Sequence, residues 1–215
     1  MISSHRTPAS VVLLTLLWVL PAAGSDTPEE ILEKVRKKYE TIRDAELTFS
    51  QRVRFPASKL EQSAHGTLFL KKEHKYRIET EDQTIVTDGS TVWSYSVPNR
   101  QVLIDQFKQD ERSLTPERIL AGAPGEFAAT VIGRDKLQKM PVIILKLVPR
   151  GEQSLVSALR LWIDAEEWVI RKAEVTDLNG KESTYTVEDL RINAGLPDSR
   201  FTFVIPEGVD VVDLR

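Results

Sequence analysis

Cysteine and histidine, which serve as nucleophiles, bases and metal ligands, are scarce in this 215-residue chain: it has no cysteine and three histidines. Without cysteine, the chain has no thiolate for catalysis or for metal binding. His65 and His74, the two histidines in the body of the chain, do not have a spacing that zinc sites use, and we expect both at exposed strand ends. The sequence also contains no Gly-x-Ser-x-Gly nucleophile motif and no glycine-rich phosphate loop. It therefore gives no support to metal, thiol or serine catalysis, and we expect no cofactor.

Carboxylates are the remaining candidates for acid–base chemistry. They concentrate at predicted turns, for example at Glu81 and Asp82, at Asp88, and at Glu166 and Glu167. Residues of this type are ordinary at turns, where they face solvent. Two of them could still meet in space as an acid and a base. A secreted hydrolase therefore stays a third hypothesis for function, although the sequence shows no recognisable catalytic geometry.

The densest basic run is Lys-Lys-Glu-His-Lys-Tyr-Arg at residues 71–77. A charge run of this kind is usually a solvated strand end and turn. The alternative is a lip that meets acidic partners or phospholipid head groups. Over the whole chain, 32 acidic residues exceed 29 basic ones, and the formal net charge is −3. Such a balance argues against nucleic acid as a partner.

The first 24 residues have the features of a secretory signal peptide. His5 and Arg6 precede an apolar run at 11–20 that is too short to span a membrane, and small residues follow at 21–25. An uncleaved N-terminal anchor is the alternative. We expect cleavage after Gly24 and a single domain over 25–215. Because an exported chain without cysteine has no disulfides, its stability must come from a buried core. It also has no cysteine to which a lipid could be attached, so we do not expect it to be a lipoprotein itself.

Two helices are predicted around a β-rich body. The first covers 25–42, where Thr27, Pro28 and Glu30 supply an N-cap, a proline at the first helical position and a capping box. Apolar residues then recur with helical spacing. A second Thr-Pro-Glu start at 115–117, followed by Gly122, predicts a helix of about two turns.

Elsewhere, apolar and polar residues alternate in short runs separated by turn signals. The clearest series lies at 66–105. Further strands are expected within 45–55 and 128–193, with an edge strand at 201–205. This pattern predicts a mainly β fold with α-helix: a single curled antiparallel sheet of about eleven strands, an unclosed β-barrel covered by a helical lid. If the helices fit loosely, the space between them and the sheet is a hydrophobic cavity.

Several segments resemble the LolA family of periplasmic outer-membrane lipoprotein carriers. They are Leu-Thr-Phe-Ser-Gln at 47–51, Gly-Thr-Leu-Phe-Leu-Lys-Lys at 66–72, Asp-Gly-x-x-x-Trp-x-Tyr at 88–95 and Phe-x-Phe-x-x-Pro-x-Gly-Val at 201–209. The resemblance covers essentially all of 25–215, and the last two motifs together are fairly specific.

The resemblance implies a monomeric, non-enzymatic carrier in the periplasm. Its cavity would receive the acyl chains of lipoproteins released by an inner-membrane ABC transporter and would pass this cargo to an outer-membrane receptor. In better-known members, an arginine after the Leu-x-x-Lys of the second strand hydrogen-bonds the closed lid. Here Lys72 stands at that position, followed by Glu73 in place of a proline. Because lysine has a point charge and not a planar fork, a lid latch through Lys72 would be weaker or different.

We predict that the acyl-chain cavity is lined by one face of the sheet and by the apolar sides of the lid helices. The predicted lining residues of the sheet are Leu47, Phe49, Leu68, Leu70, Tyr76, Ile78, Val102 and Ile104. Those of the lid are Leu32, Val35, Ile119 and Leu120. A slip of one residue in the strand register would exchange the two faces of the sheet.

A different class of function is compatible with the same resemblance. A LolA-like regulatory module would sense lipid or mislocalised lipoprotein and signal to a membrane partner, without ferrying cargo. A transporter gene nearby would favour the carrier, and a neighbouring anti-sigma factor would favour the sensor.

Overall fold

The computed structural model describes residues 26–108, 126–151, 154 and 156–215. In this part of the chain, one α-helix precedes a sheet of twelve strands. The predicted signal peptide over 1–24 and the predicted helix within 114–122 lie outside the described residues. The prediction of a mainly β fold with one unclosed sheet is confirmed, with twelve strands in place of about eleven.

Helix α1 (Pro28–Thr41) begins with the predicted capping box. The hydroxyl of Thr27 accepts a hydrogen bond from the backbone N–H of Glu30 at 3.2 Å, and the Glu30 carboxylate accepts one from the N–H of Thr27 at 2.8 Å. These bonds satisfy two of the N–H groups that have no partner inside the helix. Ile31, Leu32 and Val35 form one buried side of the helix. That side must pack against the sheet.

Long strands form the centre of the sheet and shorter ones form one wing. The strands are β1 (Asp44–Phe55), β2 (Leu60–Lys71), β3 (Lys75–Thr80), β4 (Gln83–Asp88), β5 (Thr91–Ser96), β6 (Gln101–Gln106), β7 (Phe127–Leu137), β8 (Met140–Pro149), β9 (Val156–Asp164), β10 (Ile170–Asp177), β11 (Glu182–Ile192) and β12 (Asp210–Asp213). Their order in the sheet is β12-β6-β5-β4-β3-β2-β1-β11-β10-β9-β8-β7. Neighbours are antiparallel except for β12, which pairs with β6 in parallel. The fold therefore consists of two antiparallel meanders, β1–β6 and β7–β11, which are joined where β1 pairs with β11, and β12 lies at the edge beside β6.

The strand register divides the sheet into two faces, because residues paired across strands point to the same side. We call the side that carries α1 the helix face. The opposite side, which residues 194–209 near the C-terminus cross, is the tail face. Leu161 packs under α1 and pairs with Ala173, which pairs with Tyr185, which pairs with Gln51. The odd-numbered residues of β1 from Ala45 to Val53 therefore lie on the helix face.

The main core fills the space between α1 and the wing formed by β7 to β10. Leu145, Leu147 and Leu161 are fully buried there, as is Val35 of the helix. Burying a side chain of this size stabilises the fold by about 1.5–3 kcal/mol. The helix and this wing are thus closely packed against each other.

A second core lies on the tail face of the other wing. Residues 194–209 cross this face, where Phe201 is fully buried against Phe69. Lys71 fixes the segment by donating from Nζ to the carbonyl oxygen of Leu196 at 2.7 Å and by an ion pair with Asp198. The expected edge strand at 201–205 is wrong. Asp198–Phe201 is a short 3₁₀ helix, and the chain re-enters the sheet only at β12.

Candidate functional site

Six predicted cavity residues lie together on the helix face of β1, β2 and β3. Leu47 pairs with Leu68, which pairs with Ile78, and Leu70 pairs with Tyr76. The sixth residue, Phe49, pairs with Gly66. All six are partly exposed, although each is a large apolar or aromatic side chain. A group of such side chains left open to solvent is typical of a binding surface for apolar ligands.

A close backbone approach shapes this surface at Gly66. A Cβ atom on Gly66 would lie 2.6 Å from the carbonyl oxygen of Glu79 and 2.9 Å from the ring of Phe49. The ring of Phe49 therefore lies over the glycine and fills the space that a side chain would take. The missing side chain of Gly66 thus leaves room for the Phe49 ring and for the backbone of β3.

Val102 and Ile104, the other two predicted sheet residues, lie on the tail face. Ile104 pairs with Trp93, and Val102 pairs with Tyr95. Both are buried, with exposed fractions of 0% for Val102 and 6% for Ile104. The prediction that these two residues share a face with the other six was wrong. Across a turn with an even number of residues, an even-numbered residue pairs with an odd-numbered one, so the numbers that lie on a given face change from even to odd. Three such turns separate β3 from β6.

Ile85 of β4 and Leu103 of β6 also belong to the helix face, although neither was among the predicted cavity residues. Ile78 pairs with Ile85, Ile85 with Ser94, and Ser94 with Leu103. Leu103 is 39% exposed, which is high for a leucine in a sheet. We define the apolar surface as the side chains that extend across the helix face of this wing: Leu47, Phe49, Leu68, Leu70, Tyr76, Ile78, Ile85 and Leu103.

Tyr76 shows how far this surface is withdrawn from water. Its side chain is half-buried among the apolar residues of the helix face, and burial raises the pKa of its phenol. Burial acts in this direction because a low dielectric disfavours the charged phenolate. The surface is thus a partly sheltered apolar environment.

The predicted lid residues Leu32 and Val35 are buried under α1, with exposed fractions of 4% and 0%. They pack against β7 to β10 and not over β1 to β3. The other two, Ile119 and Leu120, lie outside the described residues. Helix α1 therefore packs on the opposite wing of the sheet from the apolar surface.

The turn between β9 and β10 holds α1 in place through several polar contacts. Tyr39 accepts a hydrogen bond at its hydroxyl from the backbone N–H of Ile170 at 3.4 Å. Lys38 forms an ion pair with Glu167 at 2.8 Å, and the ammonium of Lys34 lies 4.5 Å from the ring centre of Trp168. These contacts hold the middle and the C-terminal part of the helix against the turn.

Asp164 shapes that turn from a buried position. One carboxylate oxygen accepts hydrogen bonds from the N–H groups of Glu166 and Glu167, both at 3.0 Å, and the other accepts two from Arg171. Burial raises the pKa of Asp164, but these N–H groups and the Arg171 guanidinium outweigh it and hold the pKa below its ordinary value. The carboxylate therefore stays charged at neutral pH and organises the turn.

Lys72, the predicted latch residue, contacts the C-terminal turn of α1. Its Nζ donates to the carbonyl oxygen of Glu40 at 3.1 Å, and its backbone N–H donates to the carbonyl oxygen of Arg43 at 3.0 Å. Asn193 reinforces this corner by accepting from the N–H of Arg43 and donating to the carbonyl oxygen of Thr41. Lys72 makes one side-chain bond to a helix carbonyl, where a guanidinium fork offers more donors.

Two kinds of feature are absent from the described ranges, a cluster of metal ligands and a membrane-spanning helix. Within them, no group of three His, Asp or Glu side chains is placed to hold a metal ion. No helix there is long and apolar enough to cross a membrane.

Comparisons with known proteins agree with this architecture. The family model of the outer membrane lipoprotein carrier protein LolA matches residues 40–204. An outer-membrane lipoprotein carrier protein of Hahella chejuensis is 30% identical over 195 residues, which cover 89% of this chain and 88% of that protein. Another, from Pasteurella multocida, is 27% identical over 209 residues, with 96% of each chain covered.

A solved structure supports the fold. The crystal structure of an uncharacterized conserved protein from Thermus thermophilus superposes with a TM-score of 0.57 at 15% identity, covering 86% of this chain and 98% of that one. The family model matches well over half of the chain, and a relative at 30% identity extends over most of it. The chain belongs to the LolA family of outer-membrane lipoprotein carrier proteins.

Proposed function

We propose that this protein binds the acyl chains of lipoproteins and carries them to the outer membrane. The observation that carries the proposal is the apolar surface: large apolar side chains lie partly exposed on the helix face of β1 to β6. Membership of the LolA family supports the same function. The mechanism needs binding and release only, without cleavage of a covalent bond.

Lipoprotein acyl chains need such a surface because they cannot cross an aqueous compartment unprotected. Exposing a chain of about 16 carbons to water costs on the order of 13 kcal/mol, at about 0.8 kcal/mol per methylene. A carrier must offset much of this cost and still release the chains at the next site. A partly open apolar surface suits this task better than a sealed core, because the ligand can leave without unfolding the protein.

The route of the cargo is part of the proposal. A signal peptide over 1–24, cleaved after Gly24, would direct the chain to the periplasm. There an inner-membrane ABC transporter would hand over the lipoprotein, and an outer-membrane receptor would take it. Ile119 and Leu120 stay proposed as lid residues over the apolar surface. Lys72 is proposed to stabilise the closed form through its bond to α1.

The experiment measures release of lipoproteins from inner-membrane spheroplasts by the purified protein. Leu68→Glu places a charge in the apolar surface, whereas Leu178→Glu makes the same change at a turn where the leucine is 65% exposed. We expect the wild-type protein and Leu178→Glu to release lipoproteins, and Leu68→Glu to release them only at background level. No release by the wild-type protein at any concentration would refute the carrier. If the wild-type protein binds acyl chains but releases no lipoprotein from the spheroplasts, the result would favour the sensor.

A further inference from the structure

A polar groove on the tail face lies away from the apolar surface and has no role in the proposed carriage. It has a volume of about 350 Å³ and is lined by residues of β10, β11, β1 and β2, together with Leu137 of β7. Its lining residues are Ser50, Gln51, Arg52, Ser63, His65, Leu137, Lys172, Thr184 and Thr186. At about 30 Å³ for each water molecule, it has room for about ten waters. This is enough for a phosphate group together with the polar group esterified to it.

The register places the polar side chains of the groove in two adjacent rows. Lys172 pairs with Thr186, Thr186 with Ser50, and Ser50 with His65. In the next row, Thr184 pairs with Arg52 and Arg52 with Ser63. Hydroxyl groups and nitrogen-bearing side chains thus lie next to one another across β10, β11, β1 and β2.

The groove offers donors and positive charge with little competition inside it. Among the described residues, no carboxylate lines it. Ser50, Ser63, Thr184 and Thr186 also line the groove, so their hydroxyl groups can bond a ligand there. Charged donors and hydroxyls are the groups that bind phosphate oxygens.

Three carboxylates outside the groove compete for its nitrogen groups. Arg52 lies 3.3 Å from Glu61, and His65 lies 3.6 Å from Glu188. Lys172 pairs with Glu174 at 2.7 Å, and its ammonium lies 4.1 Å from the ring centre of Trp162. Water and salt screen the pairs of Arg52 and His65, whose side chains are 67% and 73% exposed, and weaken them. A phosphate group that takes bonds from several donors at once can therefore displace them.

We propose that this groove is a binding site for a phosphate group, carried either by a small soluble ester or by a phospholipid head group. Arg52 and Lys172 supply the charge, and the hydroxyls of the two rows bond the remaining oxygens. The site does not depend on the apolar surface, so Leu68→Glu leaves it intact.

The test is an NMR titration of the full chain with inorganic phosphate, compared with chloride at equal ionic strength. We expect saturable shifts of the amides around Thr184, Thr186 and His65. Lys172→Gln raises the dissociation constant about tenfold, the effect of losing one hydrogen bond to a charged group. Thr186→Val removes a hydroxyl at nearly constant shape and weakens binding several-fold. The matched control, Lys146→Gln, removes an exposed lysine of the same face outside the groove and changes nothing.

Vesicles identify the source of the phosphate. Binding to phosphatidylglycerol vesicles but not to phosphatidylcholine vesicles, lost in Lys172→Gln, identifies a head group, whereas binding of inorganic phosphate alone identifies a soluble ester. Absence of localised shifts would overturn the proposal. It would also be overturned if Lys146→Gln weakened phosphate binding as much as Lys172→Gln while Thr186→Val had no effect, because that pattern describes unspecific attraction between charges.

Discussion

Replacing Asp164 by asparagine tests whether the β9–β10 turn anchors α1. Asp164 is 3% exposed and accepts four hydrogen bonds. In the Asp164→Asn variant, the amide oxygen can keep the two bonds to the turn, but the NH₂ group faces the guanidinium of Arg171, so that donors oppose donors. Removing one partner of a buried ion pair costs about 3–5 kcal/mol. Because the Arg171 side chain keeps 18% exposure, we expect a loss of about 2–3 kcal/mol.

The pH dependence of this loss follows from the lowered pKa of Asp164. A carboxyl group whose pKa is lower in the folded than in the unfolded state stabilises the fold above its unfolded value. That contribution disappears as the pH falls below the ordinary value of 3.8 and through the folded pKa. The difference in unfolding free energy between wild type and Asp164→Asn should therefore be full at neutral pH and shrink as the pH falls below that ordinary value.

Urea denaturation at neutral and at acidic pH measures this difference, and hydrogen exchange of the α1 amides reports the anchoring itself. Asp135→Asn is the matched control, because Asp135 is exposed and, among the described residues, its carboxylate accepts a local bond from the N–H of Lys136. We expect the control to stay within about 0.5 kcal/mol of wild type. A loss below about 0.5 kcal/mol for Asp164→Asn, with unchanged exchange in α1, would refute the anchoring role.

Three further substitutions test other parts of the structure through urea denaturation. Gly66→Ala should destabilise the fold by about 1–3 kcal/mol, because the new Cβ would collide with the carbonyl oxygen of Glu79 in β3. The control Gly151→Ala should be neutral, since no atom lies within 4 Å of its Cβ position. If both variants were equally stable, the close approach at Gly66 would be contradicted. Val35→Ala, at a fully buried site, should lower the free energy of unfolding by about 2 kcal/mol. Val204→Ala, at an 85% exposed site, should lower it by less than about 0.5 kcal/mol, and the reverse order would contradict a core under α1. Lys72→Met should cost about 0.5–1.5 kcal/mol, since it removes one bond to the C-terminal turn of α1, and no measurable loss would make that contact unimportant.

Much of the fold could be predicted from local patterns, because those patterns are caused by local physics. The Thr27 and Glu30 capping box sets the start of α1, and the alternation of apolar residues predicts the strands. The error at Val102 and Ile104 arose from turn lengths. Counting the even-numbered turns between β3 and β6 would have placed Leu103 on the helix face, so this signal was available in the sequence.

Two features depend on long-range packing that no local pattern records. Helix α1 could have covered either wing of the sheet, and its position over β7 to β10 follows from contacts such as Tyr39 with Ile170, 131 residues apart. The crossing of the tail face by residues 194–209 depends on Phe201 and on Lys71. The apolar residues 201–205 have a strand-like composition, and burial of Phe201 against Phe69 prevails over that local preference.

The most direct measurement of the central claim is photo-crosslinking with a diazirine-bearing fatty acid, followed by peptide mapping. If the helix face binds acyl chains, the label appears on peptides that contain Phe49, Leu68 or Tyr76, and excess unlabelled fatty acid prevents it. Labelling that falls mainly on tail-face residues such as Trp93 and Trp162, or that unlabelled fatty acid does not reduce, would contradict acyl binding at this surface.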